Sequence, residues 1–378
     1  MEIKIKKVLF GEQKFGAKSV GFIELNHAPA LNALDTEMLA DIEKRLLVWQ
    51  NDPAIALVVF HSENPKAFCA GGDVKKLVIE TREKGLKIAE DFFTQEYFTD
   101  CLVHGFKKPI LAWLDGITMG GGVGLTQGAS HRVVTEKTLL SMPEVFIGLF
   151  PDVGATGFLP QLKDGFGYFI GLSGARLSGQ LGYETGWQNY FLKSDKKRKV
   201  FSDLLRIDWR DSSEENREIL NQYLTHMMSL EAETEEKSDG RPRYSEGDQK
   251  LLSHWQKISS EFKKALADKN FAGLVECINK TEGVDGRARS ILSQALFYEM
   301  AQKASGQSWE KVLALEWVAS VEMSKSSSFP EGVRAVLLDK DQKPKWPMLT
   351  ADEALAEARK ILSSPVDNLL VRRFEARK

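Results

Sequence analysis

Cysteine is scarce in this 378-residue chain, which has only Cys69, Cys101 and Cys277. They are far apart, odd in number and in no metal-type spacing. That argues against a disulfide framework and favours a reduced, intracellular protein. The six histidines are equally scattered, so no metal is expected. No apolar run reaches the length of a membrane span. The N-terminal "MEIKIKKVLFGEQKF" alternates apolar and charged residues, as a strand does, whereas a signal peptide needs a continuous apolar stretch. A cytoplasmic protein is therefore expected. Charge of one sign is also lacking. A net charge of −2 supplies no global field for nucleic acid or an anionic membrane, although a local basic pocket for phosphates stays open. There is no Walker-type phosphate loop, and the absence of a Gly-x-Ser-x-Gly elbow disfavours a serine α/β-hydrolase.

With 43% hydrophobic and 28% charged residues, the chain has the composition of a globular protein with ample core. "IKIKKVLF", "SVGFIEL", "IALVVFHS", "PILAWLDG" and "HRVVTE" read as strands. "DTEMLADIEKRLLVWQND" reads as an amphipathic helix with Asp35 as its N-cap. Residues 75–104 read as a long, mostly charged helical region. Strands alternating with helices predict an α/β fold for residues 1–200. Residues 201–378 read as a helical region that packs on this core, with the polar stretch 231–250 as a loop or linker.

Two glycine-rich stretches fall where a strand ends and a helix begins, "FCAGGD" (68–73) and "GITMGGGVG" (116–124). Glycine lets a ligand approach the backbone, and amides at a helix start point outward unsatisfied. Two such sites suit a pair of N–H donors on one developing oxyanion, while tight turns and close packing account for each of them singly. "GVGLTQG" imitates a dinucleotide fingerprint only loosely, because Gln127 breaks the spacing. "SMPEVFIGLFPDVG" (141–154) sets Glu144 and Asp152 in apolar surroundings. Buried acids are costly unless paired or used. A first-turn acid after Pro143 and a turn residue after Pro151 are the plain structural alternatives.

In their order, "FCAGGD", "GITMGGGVG" and "MPEVFIGLFPDVG" resemble the crotonase (enoyl-CoA hydratase/isomerase) superfamily over roughly residues 10–195. The resemblance implies a spiral of ββα units and an acyl-CoA substrate. It also implies an oxyanion hole made by the amides of Gly72 and Gly121. Hydratases of the family usually carry two glutamates. One falls on Glu144 and the other on Gly124, which has no side chain. "IGLFPDVG", the triple glycine and "FPEGVRAVLLDKDQKPKW" (329–346) resemble instead the thioester-cleaving branch, the 3-hydroxyisobutyryl-CoA hydrolases of valine breakdown. That branch implies catalytic roles for Glu144, as general base or nucleophile, and for Asp152, which would hold the substrate hydroxyl, orient Glu144 or share its proton. It implies a substrate contact for Glu96, although an acid in a charged helical region is usually just solvated. The branch's "DVGGG" is "DVGAT" here, so Thr156 is expected to alter the pocket wall. No cofactor is implied beyond the coenzyme A of the substrate. A homo-oligomer is compatible with the family. Lys107, Lys108 and the basic run 193–199 are candidates for the CoA phosphates. A hydratase or isomerase using Glu144 alone and a silent acyl-CoA-binding protein are the alternatives. Intact acids and glycines argue against the latter.

Overall fold

The computed structural model describes residues 6–235, 244–280 and 287–377. The ten strands among these residues are β1 (Val8–Phe15), β2 (Lys18–Leu25), β3 (Ile55–Ser62), β4 (Ala67–Cys69), β5 (Ile110–Leu114), β6 (Ile117–Met119), β7 (His131–Val134), β8 (Leu139–Ser141), β9 (Arg176–Ser178) and β10 (Tyr190–Phe191). They form a six-stranded sheet ordered β1-β2-β3-β5-β7-β10 and a four-stranded sheet ordered β4-β6-β8-β9. β1 and β2 are an antiparallel hairpin; from β2 onward the larger sheet is parallel.

The ββα rhythm is visible in chain order. β1 and β2 precede helix Thr36–Asn51, β3 and β4 precede helix Val74–Lys84, and β5 and β6 precede helix Gly121–Gln127. From β3 onward each unit adds its first strand to the larger sheet and its second to the smaller, which makes the winding a spiral. β3 and β5 are buried at every residue, which is why they read as unbroken apolar runs. Asp35 caps its helix as expected, accepting from the Met38 amide at 3.0 Å. Residues 3–5 of the first expected strand lie outside the described residues, and the strand runs on to Phe15.

The chain divides into two compact units, each drawn from three segments: 1–71, 102–140 and 177–245, and 72–101, 141–176 and 246–378. After β10 the described residues hold helices and no further strand. The stretch 231–250 is less loop-like than its composition suggests, since helix Ser213–Glu235 runs into it and helix Glu246–Ala267 starts within it. Residues 236–243 lie outside the described residues. In the first unit the larger sheet packs Leu57, Val59, Leu111, Trp113 and Val133 against Leu204, Trp209, Leu220 and Leu224. The second unit is mainly helical. Helix Lys87–His104 as far as Cys101 and helices Ile291–Ala304 and Trp309–Lys325 belong to it, with the turns that carry the two acids. No described helix is long and apolar enough to cross a membrane.

Candidate active site

The expected charged helical region 75–104 is two helices, Val74–Lys84 and Lys87–His104, parted at Gly85, whose φ of +96° suits glycine. The second is not a solvated element. Its charges gather at the start (Lys87, Glu90, Asp91), while Phe92, Phe93, Tyr97 and Phe98 are buried. Glu96 and Asp100, one helical turn apart, are buried with them, and Asp100 has no exposure at all. Glu96 is thus no surface acid. Its carboxyl lies against Gly72: a Cβ there would come within 3.3 Å of Glu96 Oε1 and 3.0 Å of the Phe92 ring.

Glu144 opens a 3-10 turn, Glu144–Phe146, directly after Pro143. It does occupy the first-turn position, yet it is buried and its Oε2 has no partner among the described residues. First-turn placement explains the backbone but not an unpartnered buried carboxyl oxygen. The Ser290 amide donates to the Val145 carbonyl at 2.9 Å and holds this turn. Asp152 follows in a tighter bend. Val153 has φ +50° and Gly154 φ +88°, and a β-branched residue in the left-handed region needs external support. Glu316, from helix Trp309–Lys325, supplies it. Its carboxyl accepts from the Gly154 amide (2.7 Å), the Thr156 amide (3.1 Å) and the Thr156 hydroxyl (2.5 Å). Thr156 is therefore tied to Glu316 by its side chain. The Tyr97 hydroxyl donates to Asp152 Oδ2 at 2.6 Å.

Five carboxyls, Glu96, Asp100, Glu144, Asp152 and Glu316, are thus buried in one unit, and burial opposes the ionisation of each. Asp152 is pushed up to about 7 by burial, against the pull of the Tyr97 hydroxyl and its own backbone amide. Glu144 is raised well above the usual carboxylate range by burial, then by the charges of Asp152 and Glu96. Glu96 is raised by burial and by Asp152, and Asp100 by burial and then by Glu96, Asp152 and Glu316. Burial also lifts Glu316 to about 8, opposed by its three donors, and those donors on two oxygens favour the ionised form.

Asp100 has neither carboxyl oxygen hydrogen-bonded among the described residues. An acid whose proton is held more tightly in the folded state stabilises the fold at low pH and loses that contribution as pH rises through its folded-state value. Asp100→Asn is therefore expected to raise the melting temperature at about pH 8 more than at about pH 5. Each ~1 kcal/mol of relief moves Tm by about 2–4 °C for a unit of this size. Thermal unfolding at the two pH values checks this; an equal offset at both would show that the charge of Asp100 has no part in it.

In the first unit, Gly120 takes φ +48° and ψ −124° at the start of helix Gly121–Gln127, a conformation open to glycine. A Cβ on Gly71 would lie 3.6 Å from the Gly121 amide nitrogen. Gly122 packs against Cys69 with no room for a side chain, which suits Cys69 as a small buried filler. Several of the basic candidates are engaged within this unit. Lys108 donates to the carbonyls of Trp49 and Asp52, Lys197 pairs with Glu63 and the Ser62 carbonyl, and Lys199 pairs with Asp203.

Four of the five residues singled out from the sequence, Gly72, Glu96, Glu144 and Asp152, belong to the second unit, and Gly121 belongs to the first. The sequence reading missed Tyr97, Asp100, Glu316 and Ser320. The signal for Glu316 was there: "VLALEWVAS" sets an acid inside an apolar helix, just as "MPEVFIG" does for Glu144.

The enoyl-CoA hydratase/isomerase family profile matches residues 20–360. The mitochondrial 3-hydroxyisobutyryl-CoA hydrolase of Homo sapiens is 37% identical over 338 residues, covering 86% of this chain and 81% of that protein. Its Xenopus tropicalis counterpart is 36% identical over 341 residues, covering 87% and 82%. Among solved structures, an enoyl-CoA hydratase from Rhodobacter sphaeroides 2.4.1 superposes with a TM-score of 0.73 at 27% identity, over 96% of this chain and 98% of that one. A carnitinyl-CoA dehydratase from Mycobacterium thermoresistibile gives 0.74 at 26% identity, over 97% and 98%. The names of the relatives overturn the cytoplasmic expectation, because these hydrolases are called mitochondrial. Few cysteines and an alternating N-terminal strand do not distinguish the two compartments. The α/β spiral with its helical C-terminal region is the fold of those solved structures, and the chain belongs to the enoyl-CoA hydratase/isomerase family.

Proposed function

We propose that this protein hydrolyses an acyl-CoA thioester, with 3-hydroxyisobutyryl-CoA as the substrate, releasing 3-hydroxyisobutyrate and coenzyme A, a step of valine breakdown. The observation that carries this proposal is Glu144, a buried carboxyl with one oxygen unpartnered among the described residues. The relatives named above, similar over most of their length, support the thioester as the bond that breaks.

The amides of Gly72 and Gly121 take the thioester oxygen, in the role that the family resemblance gives them. Charge that develops on that oxygen meets donors fixed in advance. Glu144 then acts in one of two ways. As general base it takes a proton from water while the water oxygen bonds to the acyl carbon. As nucleophile its own oxygen forms that bond, and water later cleaves the resulting anhydride. In both routes the C–S bond breaks and the thiolate leaves, and neither needs a cofactor. Asp152, which accepts from the Tyr97 hydroxyl, receives the substrate hydroxyl or shares a proton with Glu144 in this proposal, and the charge of Asp152 acting on Glu144 supports the second role. Glu96, unpartnered at Oε1 among the described residues and set against Gly72, lines the acyl end.

Release of free CoA from 3-hydroxyisobutyryl-CoA, followed with a thiol-reactive chromophore, tests the proposal, with crotonyl-CoA as comparison. Rapid thiol release from the first and none from the second is the expected result. Loss of the crotonyl double bond without thiol release from either substrate would make the protein a hydratase. Tight binding of both without turnover would make it a binding protein.

A further inference from the structure

Three side chains of helix Trp309–Lys325 reach the elements that carry the candidate acids. Glu316 accepts from the bend after Asp152, as described above. The Trp317 indole donates to Thr94 Oγ1 at 2.9 Å, and Ser320 Oγ lies 2.6 Å from the Tyr97 hydroxyl. Residues 316, 317 and 320 share a helix face, and Thr94 and Tyr97 share one on helix Lys87–His104. Tyr97 has no exposure, and its hydroxyl contacts both Ser320 and Asp152.

The protons in this chain can be assigned. A phenol has one proton and can also accept. An ionised Asp152 only accepts, so Tyr97 gives it the proton and Ser320 donates to the Tyr97 oxygen. The chain runs Ser320 to Tyr97 to Asp152 and ends on Oδ2, which leaves Oδ1 as the oxygen for substrate or for a shared proton. We propose that Tyr97 is a positioning residue for the reaction: its hydroxyl, fixed by Ser320, holds the Asp152 carboxylate in its ionised form and in one orientation. This rests on the role proposed for Asp152 above. The groups that bear on Asp152 from the elements around it are Glu96, Tyr97 and Asp100 on helix Lys87–His104, Glu144 on its 3-10 turn and Glu316 on helix Trp309–Lys325. Tyr97 is the one among them that donates to its carboxylate.

The test is CoA release from 3-hydroxyisobutyryl-CoA by Tyr97→Phe, measured across pH. Phenylalanine keeps the buried ring and removes only the hydroxyl. A hydrogen bond to a charged group is worth about a tenfold to hundredfold effect. The expected result is a fall of that size in kcat, with little change in KM and the pH limb moved about one unit upward. Ser320→Ala should move the limb the same way by less, and it serves as the second probe if Tyr97→Phe fails to fold. Tyr168→Phe, away from the acids, should leave the profile alone. In an Asp152→Asn background Tyr97→Phe should add little, because the partner is already gone. An unmoved limb in both Tyr97→Phe and Ser320→Ala, or a Tyr97→Phe effect that adds in full to Asp152→Asn, would overturn the proposal and leave Tyr97 a packing residue. Wild-type rates in Asp152→Asn itself would instead remove the role of Asp152, a separate failure.

Discussion

Glu144→Gln is expected to lose CoA release by about 10²–10⁴-fold, with KM little changed, because a general base contributes on that scale and a nucleophile at least as much. Glutamine keeps the shape of the side chain and removes only its capacity to take a proton or attack. The substitution should not harm the fold. Burial and the charges of Asp152 and Glu96 already oppose a negative charge at this position, so a neutral amide relieves a conflict. Turnover and thermal unfolding of the same preparation check both halves. A variant that melts like wild type and turns over like wild type would remove Glu144 from the chemistry. A variant inactive only because it is unfolded would leave the question with the pH profile below.

Gly332→Ala is expected to cost more in stability than any other single methyl group discussed here. A Cβ at position 332 would lie 2.2 Å from the carbonyl carbon of Ile147 and 2.3 Å from its oxygen, backbone atoms that cannot rotate aside. A Cβ on Gly148, which follows Ile147, would lie 2.2 Å from the Ser328 carbonyl oxygen, and Gly148 has φ +69°. Helix Ser328–Val333 is thus pressed onto the loop between Glu144 and Asp152. An added methyl in a tight core costs about 1–3 kcal/mol. Here the strain also falls on the loop that aims both acids, and a displacement near 1 Å can cost about 10²-fold in rate. Melting temperature and kcat should both fall. Gly11→Ala, where a Cβ meets nothing within 4 Å, should change neither. An unchanged rate in Gly332→Ala would mean that the loop need not be held so closely.

The strand-helix order, the Asp35 cap and the glycine junctions were legible in the sequence because they depend on neighbours in the chain. Buried strands show as apolar runs, and a glycine after a strand shows as punctuation. Glu144 and Asp152 stood out because acids in apolar sequence are costly. Glu96 was harder. Its surroundings looked charged, and only the folding of helix Lys87–His104 into the second unit buries residues 92–100 while leaving Lys87 and Asp91 outside. Tyr97 and Ser320 were beyond reach for another reason, and so were the partners of Glu316. Tyr97 and Ser320 are 223 residues apart, Glu316 and Gly154 162 residues apart, and no local pattern encodes such pairings. The two compact units were hidden for the same cause, since each is assembled from three separated segments. The compartment was not legible at all, because reduced thiols suit the mitochondrial interior as well as the cytoplasm.

The most direct test of the central claim, a buried carboxylate whose ionisation drives thioester hydrolysis, is kcat/KM for CoA release from 3-hydroxyisobutyryl-CoA measured from about pH 5 to pH 8. The acids interact, so the limb belongs to the cluster and not to one residue. With Glu144 held well above the usual carboxylate range and Asp152 pushed up to about 7, the rate should climb with pH, with its limb near or above neutrality. That limb should be absent from the residual activity of Glu144→Gln. A rate flat across the range, as a base with the ordinary carboxylate value of about 4 to 4.5 would give, would contradict the assignment of the base to this buried cluster.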